Sequence, residues 1–407
     1  MTGSSRFPTG VLVVIAVVIG VVWLVARQPD AGSVDRDRKA PVPPVAGPIE
    51  EMTGPTVTLT SSVGSTGSPG GTVATGSLFV DLDDETLTAT SLVDGDLVWR
   101  YDRDDHSIDD WTVSADALWV IFDDRLLVRV DVDSARVSDS TVVDELDEGD
   151  DPPTLSGDGV GGVVVQAASD AVWWVGRDLD PIALDLPRDC DAPSDVSSDG
   201  DRIFLLAPCP DGQRVAAFST DGGSEWVGDP TGATELEVDR EYVVVHTVDG
   251  SALLDPESGD VTGTIPATAA GPYLSAADGL FVAWEPDAPP SRASLAVWSA
   301  DGRRLVWRLA GAGSASRVSA PLVSDRHLYY ARTTYDDEPT FDLVVVDVTS
   351  GESWSTELSD PGPTSCDGEA TEFRPGIFAG IPGGIVVSWQ DETVCAAPVL
   401  EVYVDAG

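Results

Sequence analysis

The chain contains no asparagine, one lysine (Lys39), two methionines, three histidines and four cysteines in 407 residues. Basic side chains number 23 against 70 acidic ones, a formal net charge of −47. A deficit of that size excludes a nucleic-acid partner, because a phosphate backbone needs a basic patch. It disfavours docking on anionic lipid headgroups for the same reason. The cysteines form no C-x-x-C pair, which removes the usual zinc and dithiol motifs. His106, His246 and His327 show no H-x-x-x-H spacing; His246 and His327 fall in or beside apolar runs and read as packing residues. A G-x-S-x-G elbow and a G-x-x-x-x-G-K-[ST] phosphate loop are both missing. Gly159-Val160-Gly161-Gly162 reads as a turn that leads into no helix. Apolar residues still make up 42% of the chain, enough for a packed core and too many for disorder.

One long apolar run exists. Residues 8–26, PTGVLVVIAVVIGVVWLVA, carry no charge and are long enough to span a hydrocarbon core as a helix. Trp23 suits the interface, and Arg6 and Arg27 bracket the run. The run exceeds the apolar core of a cleaved signal peptide, and Leu24-Val25-Ala26 makes a poor cleavage site, so an uncleaved anchor is expected. Residues 1–7 are then a short tail. Residues 27–54, with APVPPVAGP at 40–48, read as a Pro-rich linker, and 55–407 as the folded domain. SSVGSTGSPGG at 61–71 reads as a loop inside it. Arg27, Arg36, Arg38 and Lys39 favour a cytoplasmic domain by charge count, but Asp30, Asp35 and Asp37 interleave with them, and long domains translocate largely regardless of charge. The cysteines point outward. Cys190 with Cys209 and Cys366 with Cys395 suit two local disulfides and an oxidising compartment. The expected location is the cell membrane, single-pass, with the domain outside the cytoplasm.

From about residue 55 the pattern is β throughout. Short Val-, Leu-, Trp- and Tyr-rich runs alternate with Asp-Gly and Ser-Gly turns, and no helical stripe persists over three turns. Turns near 95, 134, 179, 222, 259, 302 and 351 lie 37 to 49 residues apart. Each follows an apolar strand and, about twenty residues earlier, another, such as ALWVIF (117–122) or RIFLLA (202–207). Repeats of that length carrying several strands mean propeller blades. The fold expected is all-β: a β-propeller of four-stranded blades behind one N-terminal transmembrane helix. The count is seven or eight; eight is favoured because TVTLT (56–60) can complete an unfinished last blade. The candidate disulfides then staple equivalent places in the fourth and eighth units.

The repeat is an apolar strand, a small residue, a turn ending in glycine, and a tryptophan a few residues later: Gly95 with Trp99, Gly222 with Trp226, Gly302 with Trp307, and Gly351 with Trp354. It resembles the quinoprotein-like (PQQ-like) β-propeller repeat over roughly residues 55–405, degenerately, since the second, third and fifth units lack the tryptophan. The resemblance implies that these glycines turn hairpins and these indoles pack between blades. Enzymes of that family, the PQQ-dependent dehydrogenases, add a calcium site of Glu, Asn and Asp, a catalytic Asp, and a disulfide of adjacent cysteines. This chain has no asparagine and no adjacent cysteine pair. No cofactor is therefore expected, PQQ least of all, and the resemblance is to the membrane-anchored, non-enzymatic branch.

Acidic clusters leave calcium open as a metal. They comprise Asp102, Asp104, Asp105, Asp109 and Asp110, then Asp144, Glu145, Asp147, Glu148, Asp150 and Asp151. Neither follows the D-x-[DN]-x-[DN]-G spacing, and both read as solvated loops. No catalytic or cofactor-binding residue stands out. Of the aromatic pairs Trp173-Trp174 and Tyr329-Tyr330, strand alternation puts one member of each toward the core. The function expected is a non-catalytic, monomeric, membrane-tethered module that binds an extracytoplasmic protein, peptide or cell-wall ligand. The alternative is a divergent PQQ-type oxidoreductase or hydrolase with its site in the propeller channel.

Overall fold

The structure, a computed structural model, describes residues 73–143, 152–266 and 316–358 apart from short breaks. Elsewhere it describes the strands Ser33–Arg36, Val57–Thr60, Leu274–Ala276, Leu280–Trp284, Leu295–Ser299, Arg304–Leu309, Thr364–Cys366, Glu369–Thr371, Phe373–Ile381, Gly384–Asp391 and Val399–Val404. The apolar run at 8–26, the loop at 61–71 and the acidic cluster at 144–151 lie outside the described residues. Among the described residues, no helix is long and apolar enough to cross a membrane.

The described residues form a β-propeller of four-stranded antiparallel blades. Six sheets have four strands, two have five, and Thr364–Cys366 pairs with Glu369–Thr371 in a small hairpin. In chain order the first blade holds Val73–Thr75, Leu78–Asp83, Thr86–Ser91 and Leu97–Asp102; the second runs from Ile108–Ser114 to Arg136–Val142. The third runs from Thr154–Gly157 to Pro181–Ala183, the fourth from Asp195–Ser198 to Ser224–Gly228, and the fifth from Ala233–Asp239 to Val261–Pro266. First strands of successive blades touch: Ile108–Ser114 meets Thr154–Gly157, which meets Asp195–Ser198, which meets Ala233–Asp239. Phe373–Ile381 likewise meets Val73–Thr75, so the last sheet lies beside the first.

Strands from both the N-terminal and C-terminal parts of the described chain enter sheets. Val57–Thr60 pairs with Val399–Val404, with Val57 opposite Val402, and supplies the fourth strand beside Phe373–Ile381, Gly384–Asp391 and Val399–Val404. Ser33–Arg36 adds a fifth strand to the outer edge of the first blade, with Val34 opposite Tyr101. That strand falls inside the 27–54 span read from sequence as linker. Its short run, SVDR, sits among charges and prolines and has no apolar period of its own, so only the open edge beside it draws it into register.

Blades are buried on both faces, which explains their unbroken apolar middle strands. Every residue of Ala117–Phe122 is buried. Leu118, Val120 and Phe122 pack toward the first blade's Leu87, Trp99 and Tyr101. Trp119 and Ile121 pack toward Leu155, Val163 and Trp173 of the third. The same division recurs at Arg202–Cys209, where Phe204 and Leu206 face the fifth blade and Ile203 and Leu205 the third.

The turn before each outer strand explains the repeat signature. In Asp255–Gly259, Oδ1 of Asp255 accepts from the backbone N–H groups of Glu257 and Ser258, and the N–H of Gly259 donates to the Asp255 carbonyl. Asp347–Gly351 repeats this bond for bond, and Ser91–Gly95 does so with the Ser91 hydroxyl. The turn ends in the left-handed region that favours glycine, with φ of 75° at Gly95, 85° at Gly222, 71° at Gly259 and 68° at Gly351. Gly302 lies outside the described residues.

That glycine has a second reason. The Trp226 indole of the fourth blade lies over Gly259 of the fifth, where a Cβ would come within 2.5 Å of the ring. Trp226 Nε1 donates to the Pro256 carbonyl at 3.0 Å. Trp99 of the first blade does the same to Val132 of the second, at 3.2 Å and fully buried. Val132 follows Asp131 as Pro256 follows Asp255, so both indoles lock onto the same place in the neighbouring turn. Trp354 instead packs edge-on against His327, with ring centroids 5.7 Å apart. Trp307 lies in Arg304–Leu309, and its side chain is not described.

Cys190 and Cys209 form a disulfide that ties the crossover before the fourth blade to the end of that blade's second strand. Cys366 lies in the strand Thr364–Cys366, while Cys395 is outside the described residues. A bridge closing about twenty residues removes roughly 3 kcal/mol of unfolded-chain entropy. Replacing both Cys190 and Cys209 by serine should lower the unfolding free energy by about that amount. Urea titrations with and without reductant check it: reduction should destabilise the wild type by about that amount more than it destabilises the double variant.

Candidate functional site

Antiparallel order puts the turns between first and second strands, and between third and fourth, on one face of the propeller. Second-to-third turns and blade crossovers lie on the other. A cavity of about 520 Å³ opens on the first of these faces, between the third and fourth blades. Its walls come from four turns: Val160, Gly161 and Gly162; Trp174, Arg177 and Asp178; Gly200; and Thr220.

The third blade builds most of it. Trp173 and Trp174 occupy successive positions of Val172–Val175, so their rings leave opposite faces of the sheet. Trp173 is buried among Trp119, Leu155 and Val175. Trp174 is half-buried, packs partly against Val164 and Phe218, and presents the remainder to the cavity. The chain then turns, and Arg177 reaches back across the first turn. Its guanidinium lies on Gly161, where a Cβ would stand 3.0 Å from Nε and Nη2, and where φ is +121°. Nη2 donates to the Val160 carbonyl at 3.3 Å. Gly161 therefore serves conformation and contact together. Its own N–H donates to the buried Ser114 hydroxyl of the second blade at 2.9 Å, which fixes the turn from beneath. Val160 is 39% exposed, one of the few large apolar side chains open to solvent among the described residues.

Titratable clusters lie on both faces. On the cavity face Arg202 pairs with Glu225 at 2.7 Å and with Asp199 at 3.4 Å, while the Arg103 and His106 groups lie on the opposite face. Arg103 is buried and grips Asp124 with both Nη atoms, at 2.6 and 2.7 Å, while stacking 5.2 Å from the Phe122 ring. His106 Nδ1 lies 2.8 Å from Asp123, whose other oxygen accepts from the Ser107 hydroxyl. Burial works to raise both carboxyls, but it is outweighed. His106 and Ser107 hold Asp123 below the ordinary value, and Arg103, with help from His106, holds Asp124 below it. His106, Asp123 and Asp124 are close enough to share an ion. The Arg103 fork already occupies both Asp124 oxygens, so the group reads as a staple between the first crossover and a hairpin of the second blade.

Asp109 and Asp110 sit in the strand Ile108–Ser114, which corrects their reading as solvated loop residues. Asp110 is 3% exposed. Its carboxylate accepts from the N–H of Trp111 at 2.8 Å and from the N–H of Leu155, on the next blade's first strand, at 2.6 Å. Asp195 makes the same clamp from the fourth blade, with Val196 at 2.9 Å and Leu236 of the fifth at 2.7 Å. Burial raises both carboxyls despite these donors. A sequence has no signal for such clamps, because an aspartate before an apolar residue also describes a turn.

His246 is buried with Nδ1 2.9 Å from the Ser251 hydroxyl and Nε2 3.6 Å from Glu237. Ser251 is itself 3% exposed, so this Ser–His–Glu arrangement is closed to a substrate. His327 packs edge-on against Trp354 and at a tilt against Tyr329. Tyr329 and Tyr330 are both buried, in clusters on opposite faces of their strand. Of the aromatic pairs, only Trp173-Trp174 contributes a ring to an open cavity. The residues that sequence reasoning missed are Arg177, Asp178, Gly200 and Thr220; their one signal was turn position, since each lies in a hairpin turn of one of two successive repeats.

No protein-family model matches the chain, and no curated protein matches it in sequence. Solved structures do match in shape. The computationally designed protein Ika8 is 13% identical, with a TM-score of 0.52 over 85% of this chain and 98% of its own. BamB from Moraxella catarrhalis is 11% identical, with a TM-score of 0.48 over 87% of this chain and all of its own. A europium-containing methanol dehydrogenase is 11% identical, with a TM-score of 0.49 over 87% of this chain and 93% of its own. At such identities the Ika8 likeness speaks for the fold alone.

Proposed function

We propose that this chain is a membrane-tethered, extracytoplasmic β-propeller of eight blades. Its non-catalytic task is to bind a ligand or partner on the face that carries the Trp174–Arg177 cavity. The observation that carries the reading is the cavity itself. Half-buried tryptophan and arginine on a glycine cradle are residue types that anchor binding sites, and here they stand beside exposed Val160 on two packed blades. The titratable groups of the other face are engaged in structural bonds instead. The Cys190–Cys209 bridge suits an oxidising compartment, and the uncharged run at 8–26 suits an anchor. The strand Val57–Thr60 on the last sheet supports closure of an eight-bladed ring by the N-terminal segment.

A photoreactive benzoylphenylalanine in place of Val160 tests this in intact cells, with Val261, 61% exposed on the rim, as control. Irradiation should give a cross-linked adduct from position 160 and none from 261. Equal cross-linking at both, or turnover of alcohols by the purified protein with PQQ and calcium, would overturn the reading.

A further inference from the structure

From the chemistry of the cavity wall we infer that its ligand is a neutral oligosaccharide. This rests on the binding-module reading and names the ligand class.

The chain's field comes first. At a net charge of −47 the surface repels phosphates, nucleotides and acidic peptides at long range. Within the cavity, the cation Arg177 is followed directly by the anion Asp178, so the wall offers no net charge to capture an ion of either sign. A ligand without charge escapes both effects.

Hydrogen bonding comes second. Arg177 commits one bond, to the Val160 carbonyl, and keeps the rest of its five-donor fork without an acceptor among the described residues. Asp178 beside it is an exposed acceptor, and the Thr220 hydroxyl across the cavity both donates and accepts. Adjacent donor and acceptor groups match neighbouring hydroxyls on a sugar ring, each of which does both.

Apolar contact comes third. Trp174 presents aromatic surface at the cavity wall, with Val160 open beside it. A pyranose ring has a flat face of C–H groups, and the electron-rich face of an indole attracts their positive edge. A volume of about 520 Å³ holds several sugar rings and falls in the usual range of ligand pockets. The walls are preformed, since Gly161 is held by Ser114 and Arg177 by Val160, so little ordering opposes binding.

The test uses the full chain in lipid nanodiscs, because glycosidic detergents would compete. Calorimetric and saturation-transfer titrations would compare cellotetraose, maltotetraose and N-acetylchitotetraose with tetragalacturonate and tetralysine. At least one neutral tetrasaccharide should bind saturably, with an affinity that changes less than about twofold between low and high salt, since no charge is neutralised. Trp174→Ala and Arg177→Ala should each weaken it by about tenfold or more. Thr220→Trp, which fills the cavity from a surface turn and leaves the core untouched, should abolish it. Binding that survives Thr220→Trp, preference for either charged probe, or no binding of any neutral tetrasaccharide would overturn the inference. If the last result came with a protein adduct at position 160, the binding module would stand and the sugar alone would fall.

Discussion

Replacing Asp110 by alanine should lower the unfolding free energy by about 4 kcal/mol, since two buried backbone N–H groups lose their acceptor at about 1–3 kcal/mol each. Those donors belong to Trp111 and to Leu155 of the next blade. The loss therefore loosens the contact between two first strands as well as one turn. Asparagine should cost less, because its single carbonyl oxygen still satisfies one donor while its amide faces the other. The pH dependence has a definite sign. Burial raises the Asp110 carboxyl above its ordinary 3.8, against the pull of the two N–H donors. The folded chain then holds this proton more tightly than the unfolded chain. Its contribution is fully present below 3.8 and is lost as pH rises through the raised folded value. Chemical unfolding of the wild type and Asp110→Asn across that window checks it. The stability difference, wild type minus variant, should fall as pH rises; a flat difference would place the carboxyl in a solvated site. Asp195 is raised for the same reason, so the double variant should show the larger change.

Trp99→Ala should be equally severe. Trp99 is fully buried between the first and second blades and donates to the Val132 carbonyl at 3.2 Å. Truncating a buried indole typically costs 3–5 kcal/mol, and about 4 is expected here. Trp226 is only partly buried, although its bond to Pro256 is of similar length at 3.0 Å. Trp226→Ala should cost about half as much, because less apolar surface is at stake. Phenylalanine at position 99 separates the two contributions, keeping most of the packing and losing the donor. Urea unfolding of the three variants gives the ranking, and equal costs at 99 and 226 would show that the hydrogen bond outweighs burial.

The propeller was legible because its blades repeat a local chemistry. An aspartate or serine four residues before a glycine closes the same turn at 91–95, 255–259 and 347–351. The apolar run after a turn of fixed length marks the buried middle strand. Local disulfide formation was legible for Cys190 and Cys209 because few residues separate them. The fifth strand at Ser33–Arg36 was not, since it takes its place from an open edge far along the chain. Nor was the burial of Asp110, whose partners stand 1 and 45 residues away.

Sequence alone thus determined the repeating unit, its strands, its turns and the sign of its surface, since each depends on residues close together or on simple sums of charge. Tertiary structure alone decided which turns meet. Val160, Arg177, Gly200 and Thr220 belong to four hairpins of two blades and share a cavity only because those blades pack side by side. The same packing chose Trp174 for the cavity and Trp173 for the core: alternation sends two neighbouring rings to opposite faces, and only the neighbouring blade determines which face is filled.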